Sequence, residues 1–150
     1  MKVILEKVAK PEEEGAHIRA VELTEEVRNA VDLLENNCRS ISVSRVGEEK
    51  SPGESYMLGT NRIYYTESID KRTYVYTKEE CFETRYRLYE LEDILGVNFL
   101  RVSKSLVVNM RKIRSVKTEL NGRMTAELLN GEKIVISRSY VKDLKRKLGV

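Results

Sequence analysis

Residues 98–109, N-F-L-R-V-S-K-S-L-V-V-N, decide how the rest of this 150-residue chain is read. Phe99, Leu100, Val102, Leu106, Val107 and Val108 form an apolar framework, and Arg101, Ser103, Lys104 and Ser105 set a cluster of hydrogen-bond donors inside it. Apolar residues bracketing polar ones suit a short strand packed on one face and ending in an exposed loop. Asn109 then opens N-M-R-K-I-R, where a short polar side chain can cap one helical turn. A loop held at both ends and carrying donors is suited to meet something anionic.

Downstream the signals sharpen. Residues 113–120 alternate, Asn121-Gly122 is a strong hairpin signal, and 123–129 return with Met124, Ala126 and Leu128 on one face. Asn130-Gly131 makes a second turn into a third strand at 133–136. Ser139 can cap a last helix, in which Tyr140, Val141, Leu144 and Leu148 form the inner stripe. Lys142, Lys145, Arg146 and Lys147 remain outside, near the C-terminal end, where the helix dipole favours cations.

Upstream, short β-rich runs at 56–58, 63–68, 73–77 and 83–87 are separated by polar turns, and L-Y-E-L-E-D-I-L-G at 88–96 reads as a helix stopped by Gly96. Residues 1–46 predict a small β-β-α-β unit, with strands at 2–7, 17–22 and 41–46 around a helix that Thr24 caps. The expected fold class is mainly β (α+β overall), with an extension at 1–46 and a main domain at 47–150.

Composition narrows the function. No apolar run approaches the ~20 residues that cross a bilayer. Cys38 and Cys81 match no metal or redox spacing, so a reduced, cytoplasmic protein is the simplest reading. His17 is the sole histidine, and no phosphate-binding or nucleophile motif is present, so neither an enzyme nor a cofactor or metal site is expected. The net charge of +3 conceals an asymmetry. Residues 1–37 carry 5 Lys/Arg against 9 Asp/Glu, 38–96 carry 9 against 11, and 97–150 carry 13 against 4.

A basic C-terminal third on an otherwise acidic chain points to a localised polyanion-binding surface. A basic run by itself is better explained by a solvated face; its placement at junctions favours binding. Lys71, Arg72 and Thr73 fall at one hairpin, Arg101 with Ser103, Lys104 and Ser105 at a second loop, and Arg138-Ser139 before the last helix. Arg111, Lys112 and Lys142 extend the phosphate track. Hydroxyls beside Arg and Lys are the mixture that anchors phosphates and reads base edges. RNA is the weaker reading, because no aromatic platform lies among these loops. The alternative of another class is a signalling or protein-interaction module whose basic face meets an acidic partner.

The run F-L-R-V-S-K-S-L-V-V-N-M-R-K-I, the Asn-Gly hairpins and V-I-S-R-S-Y-V-K-D-L-K together resemble the LytTR DNA-binding domain. I-Y-Y-T-E-S at 63–68 and L-Y-E-L-E at 88–92 match its upstream landmarks, and the likeness covers residues 54–148. The resemblance implies small antiparallel sheets with short helices, and loops rather than a recognition helix entering successive major grooves of double-stranded DNA. Its base-contacting positions fall near Thr73 (or Arg72), on Ser103-Lys104 and on Arg138, of which Arg138 fits guanine best. It further implies a bacterial transcription regulator, related to response regulators, that binds direct repeats as a homodimer. The likeness is to short, stand-alone members without a receiver domain, some of which have a membrane-protein partner. Residues 1–46 would then pair subunits or receive a signal.

Overall fold

The computed structural model describes Ile4, Lys7, Ala9 and residues 15–35, 39–47 and 54–150. They fall into two units, Met1–Cys38 and Arg39–Val150. In the first, α1 (Glu25–Glu35) begins as its capping signal predicts: Thr24 Oγ1 accepts from the Val27 N–H at 3.4 Å, and Glu25 and Glu26 occupy the first turn. The strand expected at 2–7 lies almost wholly outside the described residues. The strand expected at 17–22 is not formed; these residues are exposed and pair with no described strand, Val21 being fully exposed. Alternation alone makes no ladder where no neighbouring backbone is available to complete the hydrogen bonds.

The described residues of the second unit form ten strands in two antiparallel sheets. The larger sheet comprises β1 (Ser40–Arg45), β2 (Tyr56–Gly59), β3 (Tyr65–Ile69), β4 (Arg72–Tyr76), β5 (Cys81–Thr84), β6 (Phe99–Ser103) and β7 (Leu106–Asn109). Their order is β2-β1-β5-β4-β3-β7-β6. The smaller sheet is a meander of β8 (Ile113–Thr118), β9 (Met124–Leu128) and β10 (Lys133–Ile136), as the paired Asn-Gly turns predict. Two helices, α2 (Leu88–Leu95) and α3 (Arg138–Leu148), complete the unit, giving the mainly β architecture expected from the sequence. β1, read with the N-terminal residues, pairs instead with β2 and β5 inside the large sheet.

Residues 98–109 form a hairpin rather than one strand and a loop. β6 and β7 pair through Ser103 and Leu106, turning at Lys104-Ser105. The ladder slips between Arg101 and Ser103, so Val102 sits in a bulge and is fully buried.

β7 is buried along its whole length. Val107 joins a core with Ile63, Val75, Phe82, Leu91 and Phe99 on the α2 side. Leu106 and Val108 join the opposite core with Met124, Leu128, Ile134, Ile136 and Leu144, which glues the meander and α3 to the sheet. Period-two geometry sends alternate side chains to opposite faces, so one four-residue strand serves two cores.

Asn109 closes β7. Its Nδ2 donates to the Ile63 carbonyl at 2.9 Å, and its Oδ1 accepts from the Arg111 N–H at 3.0 Å, capping the Met110–Lys112 turn as expected. Near this end of the sheet the Tyr65 and Tyr76 rings stack at 4.3 Å. Burial, with help from Cys81 and Glu67, pushes the Tyr76 phenol up to about 12. Burial also raises the Cys81 thiol above its usual range, which disfavours the reactive thiolate and suits a structural cysteine.

Asn109→Ala removes both side-chain bonds and leaves the Ile63 carbonyl and Arg111 N–H unsatisfied in a buried site. It should cost roughly 1–3 kcal/mol. A lower urea midpoint at unchanged slope is the expected result; an unaltered midpoint would show that this residue is not a latch.

Candidate nucleic-acid interface

Two backbone hydrogen bonds bring the expected contact segments together. β3 and β7 are neighbours and antiparallel, so the end of β3 lies beside the start of β7. The Ser68 N–H donates to the Ser105 carbonyl at 2.8 Å, which sets the β3–β4 turn next to the β6–β7 turn. The bulge residue Val102 gives its carbonyl to the Ser137 N–H at 2.9 Å, so α3 starts against the same hairpin. Three segments far apart in sequence thus share one end of the sheet.

The β3–β4 turn has only two residues between paired Ile69 and Arg72. Asp70 (φ 49°) and Lys71 (φ 65°) are both left-handed, the backbone a tight twisted hairpin requires. Neither is glycine, so the turn carries strain, of order 1–2 kcal/mol per residue. Lys71 and Arg72 project into solvent, whereas Thr73 is buried between Ser68 and Thr84. Of the two expected positions, Arg72 is exposed and Thr73 packs the strand.

At the second turn Lys104 is exposed and makes no ion pair among the described residues. Arg101 has a different role from the one expected. Its Nε donates to the Ser103 carbonyl at 2.9 Å, its Nη2 to the Lys104 carbonyl, and its Nη1 to Glu92 Oε2 at 3.0 Å. The guanidinium ties the turn to α2 and is largely consumed in doing so. Ser103 Oγ accepts from the Ser105 N–H at 3.2 Å, and the two hydroxyls lie 3.4 Å apart, so these serines also shape the turn. Arg101, Ser103 and Ser105 hold Lys104 in place rather than all reaching outward.

The third segment begins α3 one residue pair earlier than expected. Ser137, not Ser139, occupies the cap position, and Arg138 is the first helical residue. Arg138, Ser139 and Lys142 are exposed, with Arg138 and Lys142 one turn apart. The Arg138 side chain lies over Gly122 in the β8–β9 loop. A Cβ built on Gly122 would come within 3.1 Å of Arg138 Cδ, and the glycine has φ +81°.

Two expected residues fall elsewhere. Arg111 and Lys112 follow the far end of β7, opposite the hairpin turns. Lys112 is buried, its ammonium 5.3 Å from the Tyr64 ring centroid, where the π face offsets part of its desolvation. A lysine so placed cannot join a surface phosphate track.

The sequence reading also missed residues at the hairpin end. β5 pairs with β4 so that Thr84 aligns with Thr73, and Arg85 and Arg87 therefore emerge beside Arg72. A strand through 83–87 takes in both arginines, whereas β5 runs Cys81–Thr84 and starts straight after the turn closed by Thr77 N–H to the Glu80 carbonyl at 2.9 Å. Ser68, Arg87, Tyr89, Arg101 and Lys104 line a shallow groove there.

The family model of the LytTr DNA-binding domain matches residues 53–149. The sensory transduction protein LytT of Enterococcus faecalis is 26% identical over 147 residues, covering 95% of this chain; the chain spans 59% of that relative's length. An uncharacterised HTH-type transcriptional regulator of Staphylococcus aureus is 27% identical over 150 residues, covering 100% of this chain and 99% of the relative. A solved LytTr DNA-binding domain from Bacillus cereus superposes with a TM-score of 0.65 at 25% identity, covering 75% of this chain and 98% of that one. Strands β2 to β10, the hairpin at 98–109 and the helix opening at Arg138 lie within the matched stretch, and the chain belongs to the LytTr DNA-binding domain family.

Proposed function

We propose that this chain is a sequence-specific transcription regulator that reads duplex DNA through loops set in the major groove. The observation that carries the reading is the pair of backbone bonds, Ser68 to Ser105 and Ser137 to Val102, that gathers Arg72, Lys104 and Arg138 at one end of the large sheet. The β3–β4 and β6–β7 hairpins are adjacent in the strand order. Their tips are therefore about two strand spacings, or ~10 Å, apart. A major groove is ~12 Å wide, so both tips can address the same groove.

No two described helices follow one another without intervening strands, which favours loops over a helix–turn–helix as the reading device. Arg138 pairs with guanine O6 and N7, Lys104 and Arg72 reach neighbouring base edges or phosphates, and Lys142 holds the backbone. The full-length likeness to a protein named as a transcriptional regulator supports the regulatory role. In this reading the protein works in the cytoplasm, with two copies on direct-repeat sites. Residues 1–46 serve pairing or signal input, with a membrane protein as one regulatory partner.

Binding sites selected from a random duplex pool provide the test. Arg138→Ala should lose ~1–3 kcal/mol on the selected site and relax the preference at one base pair. Lys142→Ala should weaken selected and random duplexes alike and lower the salt slope by about 1. Equal losses on both duplexes for Arg138→Ala would argue for an acidic-surface contact without base reading.

Gly122→Ala tests the placement of Arg138. Both the strained φ and the crowding of Arg138 Cδ act there. The variant should lose stability, of order 1 kcal/mol, and also lose preference for the selected site. Gly131→Ala is the control, since Gly131 has φ +88° but no atom within 4 Å of its Cβ position. It should lose stability while keeping the preference; loss of preference in both variants would remove Gly122's special role.

A further inference from the structure

We infer that the groove beside the β6–β7 turn is a subsite for a backbone phosphodiester of the bound duplex, held by Arg87, Lys104 and the Ser68 hydroxyl. The inference rests on the DNA reading proposed above; it commits Lys104 to a phosphate and adds Arg87 and Ser68, which that reading does not use. Ser68, Arg87, Tyr89, Arg101 and Lys104 line one concave surface at the hairpin end. Arg87 and Lys104 are exposed and enter no ion pair among the described residues. Arg101 is the groove's fixed wall, because its bonds to Ser103, Lys104 and Glu92 keep it from swinging out.

Arg87 and Lys104 are two exposed cations on one groove, and with the Arg101 charge offset by Glu92 they are the groups left to attract and hold an anion. Ser68 adds a neutral donor on the strand that leads into the Asp70-Lys71 turn. Tyr89, 66% exposed, supplies a flat apolar flank suited to a deoxyribose. The groove is open rather than enclosed, which fits a continuous strand better than a free ion. When the two hairpin tips enter a major groove, the surface flanking them meets the phosphate rail that borders it.

Arg87 is a safe site for substitution, because its fold contacts are made by its main chain. Its N–H donates to Glu90 Oε2 at 2.7 Å and its carbonyl accepts from the Leu91 N–H at 3.0 Å. The experiment measures binding of wild type, Arg87→Ala, Arg87→Gln, Arg87→Lys and Ser68→Ala to a selected and a random duplex across a salt series. Thermal melts check that each variant is folded.

Neutralising Arg87 should weaken both duplexes by the same factor and reduce the salt slope by about 0.9, the release expected for one phosphate. Arg87→Lys should restore the slope. Ser68→Ala should weaken both duplexes without changing the slope. Inorganic phosphate added at constant ionic strength should not displace DNA, which separates a strand site from a free-anion site; displacement would overturn the assignment. A folded Arg87→Gln with the wild-type slope also overturns it. Wild type that prefers its selected duplex while Arg87 variants match it removes the subsite alone. Wild type with no preference removes the sequence-specific reading, and a slope change at Arg87 then still upholds the phosphate contact.

Discussion

The structure depends on the double burial of β7. Leu106, Val107 and Val108 are all buried, but they face two different cores. Burying a branched aliphatic side chain stabilises by about 1.5–3 kcal/mol. The larger consequence is geometric: a strand packed on both faces cannot slip by one residue, because a slip would exchange the two apolar sets. The Asn109 bonds to Ile63 and Arg111 lock the end of the strand. Register fixed there is transmitted through β3 on one side and β6 on the other to the turns at the hairpin end.

This explains how the turns at the hairpin end can be rigid. The β3–β4 turn has two residues, the β6–β7 turn has two residues, and α3 starts directly on the bulge at Val102. None is a long segment that must order on binding, so little conformational entropy remains to be lost. Arg101 extends the same logic to the side-chain level: three acceptors, from the turn and from α2, hold its guanidinium. The exposed cations on these segments, Lys71, Arg72, Arg87, Lys104, Arg138 and Lys142, are then carried by a scaffold that does not have to move.

The sequence was most legible where a local rule and the tertiary context agree. The meander followed from alternation and Asn-Gly turns, α2 from its apolar face and Gly96, and the Asn109 cap from its position before a basic turn. It was least legible where partners distant in sequence decide the outcome. Residues 17–22 alternate but have no described ladder to join. Residues 41–46 look the same locally, yet β2 and β5 complete β1. Among the expected site residues, type and spacing do not show which side chains face out. Thr73 turns inward by strand parity, Lys112 folds over Tyr64, and Arg101 spends its donors on its own turn. Arg87 was hidden inside a strand read too long.

The most direct measurement is a comparison of backbone amide resonances of the intact chain with and without a selected duplex. If the hairpin end is the DNA surface, the amides of residues 70–72, 103–105 and 138–142 should shift together on titration, and those of 110–114 at the far end of β7 should stay in place. Shifts concentrated at 110–114 or on the meander, with the two hairpin turns silent, would contradict the account.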